Sequence, residues 1–158
     1  MKRTPRPAHP FGLGVPHRRR RALYATLALA FGTGILWLIF HYFLMRRGDF
    51  GLEPHPLEVW WLRLHGASAF AMLWFTGVLW GTHAYPAFAQ TRWRASGVAM
   101  LALIALLAIT GYLLYYTADD DWQSAARLVH WVLGLSFAVP VLIHFVGARR
   151  ARRQRAPR

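Results

Sequence analysis

The last apolar segment of the chain, Arg127 to Gly147, reads RLVHWVLGLSFAVPVLIHFVG and holds two histidines, His130 and His144, fourteen residues apart. As an α-helix it is long enough to cross a bilayer, whose hydrocarbon core takes about 20 residues. At about 1.5 Å and about 100° per residue, the two imidazoles stand roughly 21 Å apart along the axis and about 40° apart around it. Both therefore look toward the same neighbour. An ionisable side chain inside a membrane segment is costly, faces a bundle interior and marks function. A hydrogen bond to an adjacent helix accounts for one such histidine. Two on one face, near opposite membrane surfaces, suggest one axial ligand to each of two stacked haems.

The rest of the chain agrees with a membrane setting. Of its 158 residues, 56% are hydrophobic, including 8 Trp, 6 Tyr and 10 Phe. That is too apolar for an ordinary soluble domain, and several windows exceed the ~18 residues that signal a membrane helix. The net charge of +13 does not indicate nucleic acid, because the arginines gather at the chain ends and in loops, where membrane topology places them. The chain has no cysteine, which excludes disulfides, iron–sulfur clusters, thiolate sites and covalent haem attachment. Any haem is held non-covalently, through histidine.

In chain order, residues 1–21 form a Pro- and Arg-rich arm ending in HRRRR, expected to be flexible and to rest on anionic headgroups. The apolar run after it is too long for a signal peptide and lacks a small-residue cleavage site, so it reads as an uncleaved anchor. Four membrane helices are expected over about 22–45, 57–83, 93–117 and 122–148, with a Gly- and Pro-bearing loop at 46–56 and a basic tail at 149–158. The fold class is an all-α, integral membrane four-helix bundle, running up-down-up-down over residues 22–148. Lys and Arg number 7 in the arm, 2 in the 84–94 loop and 6 in the tail, with no acid on that side. Arg46, Arg47, Arg63 and Arg127 share the other side with all six acids. The positive-inside rule then puts both termini in the cytoplasm. Trp60, Trp61, Trp122 and Trp131 fall toward the outer interface and Trp80 and Trp93 toward the inner one, as anchors.

With alternating helices, the second and fourth run in the same direction. His65 then lies level with His130, and His83 near the level of His144. The eighteen residues from His65 to His83 are a whole number of turns, so both face one way. That step is about 6 Å longer than its fourth-helix counterpart, a difference for tilt or a shifted helix end to absorb. The candidate iron ligands are therefore His65 with His130 for an outer haem and His83 with His144 for an inner one, since bundle cores build cofactor sites from facing helices. Bis-histidine ligation favours electron transfer over oxygen chemistry.

Gly97 and Gly111 repeat the fourteen-residue period on the third helix, and Gly134 follows His130 by one turn, so all three are candidates for making room beside a ring. Pro140 should kink the fourth helix. Arg63 and Arg127 near the outer histidines, and Arg92 and Arg94 after the inner one, suit haem propionates as well as snorkelling. His41, at the outer level, and His17, beside four arginines, are the weaker alternative ligands. His9 and His55 read as loop residues.

Four helices, HG at His65–Gly66, GYLLYY at Gly111–Tyr116 and R-x-x-H-W-x-x-G at Arg127–Gly134 resemble the small bacterial four-helix b-type cytochromes. Their broader relatives are the membrane cytochrome b subunits of respiratory formate dehydrogenase and nickel–iron hydrogenase. The resemblance covers about residues 20–148. It implies fourth-helix ligands fourteen apart, matched by His130 and His144, and a second-helix ligand to the outer haem, matched by His65. In the formate dehydrogenase subunit the inner haem takes its other ligand from the start of the first helix. This chain departs there, offering His83, with His17 as a fallback. The resemblance further implies a bacterial inner membrane location in a respiratory chain, and electron transfer between a quinone pool and an outer-face partner such as a cytochrome c or an oxidoreductase subunit.

The leading expectation is thus a dihaem cytochrome b, a relay subunit rather than a stand-alone enzyme with catalytic side chains, either alone or as a homo-oligomer. If quinone binds, Tyr115, Tyr116 and Asp119–Asp121 toward the outside, and Arg92 or Arg94 toward the inside, are the polar groups available to it. The alternative is a haem-free membrane scaffold or assembly subunit whose histidines bond between helices. A metal or proton transporter is disfavoured, because all six acids lie in loops or at helix ends.

Overall fold

The computed structural model describes residues 17–89 and 95–155, which are almost wholly helical. Helix α1 spans His17–Phe43, α2 Glu58–Leu79, α3 Tyr85–Ala89, α4 Ala95–Tyr116, α5 Asp120–Ser136 and α6 Ala138–Arg155. A turn of π-helix, Trp80–Ala84, joins α2 to α3. Four helical segments result: α1, α2 continued through α3, α4, and α5 continued through α6.

The first helix starts earlier than its apolar run, at the HRRRR cluster, since arginine is a good helix former. The loop after it is more ordered than turn residues alone predict. Strands β1, Arg46–Gly48, and β2, Gly51–Glu53, pair antiparallel with Arg46 opposite Glu53. Gly51 has φ 126°, a conformation that side chains rarely adopt and that closes this short hairpin. The expected second helix ends at Leu79, giving way to the π turn that carries His83.

The expected fourth helix is also divided. Its α-helical run breaks at Phe137, three residues before Pro140. Pro140 has no N–H to offer the Ser136 carbonyl, and its ring crowds that carbonyl, so the break falls where the proline acts. Phe137 N instead bonds both Leu133 O at 3.0 Å and Gly134 O at 3.3 Å. At the start of α5, Asp119 is the N-cap, its carboxylate accepting from Trp122 N at 3.0 Å.

The packing order follows from paired contacts. Helices α1 and α2 touch in opposite senses, Gly34 beside His65 and His41 beside Glu58. So do α4 and the last segment, with Thr110 on His130 and Ser96 on His144. Helix α2 and its continuation meet the last segment in the same sense, His65 by His130 and His83 by His144. Tyr24 of α1 also meets Phe145 of α6, ring centroids 5.5 Å apart.

Three segments, Arg18–Phe43, Ala95–Tyr116 and Asp120–Arg150, are long and apolar enough to cross a membrane. Helix α2 has the length, but Arg63, His65 and its tryptophans dilute its apolar character. Leu29, Phe70, Trp74, Ile109, Leu142 and Ile143 all face outward. Among the described residues only Ala126 and Phe137 are buried apolar side chains. A surface so apolar around so small a core suits lipid contact.

Replacing Asp119 by alanine removes the only side-chain cap seen on α5. We expect thermal unfolding in detergent to register a loss of about 1 kcal/mol, with Asp119→Asn close to wild type.

Candidate functional site

The four histidines picked out by spacing come together in two pairs. His65 of α2 and His130 of α5 have ring centroids 6.1 Å apart and planes at 88°. His83 of the π turn and His144 of α6 have centroids 6.4 Å apart and planes at 90°. His83 sits in a π turn, where the straight α-helix assumed in the phase count gives way. His65 and His130 are part-buried, whereas His83 is exposed and His144 half-buried.

Hydrogen bonds fix the orientation of three of these rings. His130 Nδ1 lies 2.8 Å from Thr110 Oγ1. The Thr110 hydroxyl donates its own proton to Leu106 O at 2.8 Å, so toward the imidazole it accepts. His65 Nδ1 lies 2.9 Å from Ala30 O, a group that only accepts. Thr33 Oγ1 is 3.4 Å from the same nitrogen and donates to Leu29 O at 2.6 Å. Both Nδ1 atoms therefore carry the proton, and each Nε2 keeps its lone pair. On the inner side, His144 Nδ1 is 3.1 Å from Ser96 Oγ.

Each of these rings also lies against a glycine. A Cβ on Gly34 would stand 3.1 Å from His65 Cε1, one on Gly111 3.4 Å from His130 Cε1, and one on Gly97 3.6 Å from His144 Cε1. Gly97 and Gly111 thus each touch an imidazole directly. Gly134 faces Leu107 of α4 at 3.9 Å instead of an imidazole.

Spacing arguments passed over Gly34, Ala30, Thr33, Ser96 and Thr110. A signal was present: Thr33-Gly34, Ser96-Gly97 and Thr110-Gly111 are three hydroxyl–glycine dipeptides. In each, the hydroxyl reaches the ring nitrogen and the glycine leaves space for the ring edge.

The remaining candidates sit apart from the pairs. His41 bonds Glu58 Oε1 through Nδ1 at 2.7 Å and stacks on Trp37. Arg63 lies over the Trp60 ring at 5.1 Å, and Arg127 reaches Gln123 Oε1 at 3.4 Å. Tyr115 and Tyr116 are exposed, Tyr116 stacked on Tyr112. His55 lines a groove with Glu58 and Trp37. Arg92 and Arg94 lie outside the described residues, as do Trp93, His9 and the side chain of His17.

Compared with protein families, curated proteins and solved structures, the chain finds no match. The site is therefore read from its own geometry. A metal–imidazole bond is about 2.0 Å, and a ring nitrogen lies about 1.1 Å from its centroid, so two imidazoles on opposite sides of one ion have centroids about 6.2 Å apart. Both pairs have that separation. Among the described residues no cluster of three or more His, Cys, Asp or Glu could hold an ion by itself. An ion between either pair would complete its coordination with donors of another kind.

Filling the glycine seats should disturb the pairs. Gly34→Leu drives a branched side chain into His65 and is expected to cost about 1–3 kcal/mol in detergent unfolding. Gly77→Leu, where nothing approaches within 4 Å, should stay within about 0.5 kcal/mol of wild type.

Proposed function

We propose that this chain is a membrane dihaem cytochrome b that carries electrons across the bilayer. The observation that supports it most is a pair of neighbouring imidazoles, repeated at two levels, with centroid separations of 6.1 and 6.4 Å that suit one iron between them. A haem macrocycle would supply the donors that the side chains do not. In this reading His65 and His130 hold the outer b haem, and His83 and His144 the inner one. Four helices cross the membrane up-down-up-down, with α2 as the fourth span and both termini in the cytoplasm of a bacterial cell.

A bound haem supplies reversible one-electron chemistry at its iron. The chain supplies the rest. Thr110, with its lone pair on His130 Nδ1–H, fixes the tautomer and orientation of that imidazole; Ala30 O does the same for His65. The glycine at each ring edge lets two helices approach closely enough for opposed rings. Held between histidine pairs, the group would supply electron transfer rather than oxygen chemistry. Quinone and an outer-face redox protein are the exchange partners this reading calls for. The proposed role is that of a relay subunit.

A dithionite-reduced minus oxidised spectrum with a pyridine haemochrome assay tests the proposal directly. Two b haems per chain are expected, falling to one in His130→Ala and in His144→Ala. A haem-free protein after expression with ample haem would reject the cytochrome in favour of a scaffold. Thr110→Val should keep the fold but weaken haem retention by about 10-fold or more, measured by transfer to apomyoglobin.

A further inference from the structure

The basic residues of α1 and α6 meet at one place in the fold. Helix α1 runs opposite to the last segment, and its Tyr24 packs against Phe145 with ring centroids 5.5 Å apart. Arg21 precedes Tyr24 by three residues and Arg149 follows Phe145 by four. Both therefore lie about one turn beyond that contact, on the same side of it. The Arg149 guanidinium stacks over the Phe145 ring at 4.6 Å, which holds it next to the junction of the two helices. Arg18, Arg21, Arg149, Arg150 and Arg153 are all exposed.

No Asp or Glu is near enough to offset these charges. All six acids lie at 49–58 and 119–121, toward the opposite ends of these helices. Asp121 stands twenty-four residues, about 36 Å of helix, from Phe145. At that opposite end the balance differs, since Arg46 sits across the hairpin from Glu53. Arginine does not give up its proton, so cations gathered in this way call for an anion from outside the chain.

The surroundings say what kind of anion. Leu142, Val146, Arg149 and Arg153 follow one another at steps of four, three and four residues, which is one face of a helix. All four are exposed. The face turns from apolar to cationic where the membrane-length stretch of the last segment ends, at Arg150. Membrane topology asks for basic residues on one side of the bilayer, but not on any particular face of a helix. A small free anion has no use for the apolar half of this stripe. An amphiphile with an acidic head and a hydrocarbon tail matches both halves.

We propose that the adjoining ends of α1 and α6 form a headgroup site for an anionic phospholipid. Arg21 and Arg149 take its phosphate in charge-assisted hydrogen bonds, Arg153 adds attraction, and an acyl chain lies along Val146 and Leu142. The site needs only the bilayer and is independent of any haem.

The test titrates phosphatidylglycerol or phosphatidylcholine into the full-length protein in detergent and counts bound lipid by native mass spectrometry. Phosphatidylglycerol should bind more tightly than phosphatidylcholine. Arg21→Gln and Arg149→Gln should each weaken it by about 5-fold, the weight of one arginine at a membrane surface. Arg149→Lys keeps the charge but loses the planar fork, so it should fall between wild type and Arg149→Gln, and it serves where the glutamine variant does not fold. The double variant Arg46→Gln/Arg47→Gln, at the other end of α1, should keep the full preference. Equal binding of the two lipids by wild type overturns the site. So does an undiminished preference in the Arg21 and Arg149 variants, or an equal loss in the Arg46/Arg47 control. Displacement of phosphatidylglycerol by glycerol phosphate at equal concentration also overturns it, because the apolar stripe would then serve no ligand. Haem content does not enter these titrations, so their failure leaves the cytochrome reading standing.

Discussion

The hydrogen bond from His130 Nδ1–H to the Thr110 hydroxyl is the interaction on which the interior depends. It joins α4 to α5 at one level, orients an imidazole and settles its tautomer. The Thr110 proton is already committed to its own helix, so the bond runs one way only. The same device recurs with Thr33 and Ala30 around His65, and a hydroxyl meets His144 at the inner level. Histidine inside a membrane protein is tolerable when one ring nitrogen is satisfied by the protein and the other has a task.

This device explains an unusual core. The most buried side chains include Thr33 at 3%, Ser68 at 3% and Thr110 at 8% relative exposure, while many large apolar residues face outward. A soluble domain built this way would lack its main driving force. In lipid the demand reverses, because association rests on close packing and interhelical hydrogen bonds. Small residues at Gly34, Gly97 and Gly111 bring helices near enough for those bonds to form. Sequence composition and interior chemistry therefore agree on one solvent.

The two levels are not equivalent. The His65–His130 pair is enclosed by α1, α2, α4 and α5, with two hydroxyls and a backbone carbonyl around it. The second pair uses His83 in an exposed π turn. A π turn interrupts the α phase, and such interruptions occur often at functional sites. The difference in enclosure leaves His65 and His130 less solvated than His83.

Much of this was legible in the chain itself. A fourteen-residue repeat fixes direction on a helix, so His130 and His144, and Gly97 with Gly111, could be assigned to common faces from numbering alone. Helical class and apolar surface followed from composition, and the proline break near Phe137 from Pro140. Partner identity could not follow in the same way. That Thr33 and Ala30 serve His65, that Glu58 meets His41, and that Gly34 rather than Gly134 lies against an imidazole depend on how separate helices rotate against each other. The π turn was equally hidden, since no residue in Trp80–Ala84 forbids an ordinary α-helix. Periodicity within one helix is a local property of the backbone. Contact between helices is decided by the sum of many weak packing terms, and only the tertiary structure evaluates that sum.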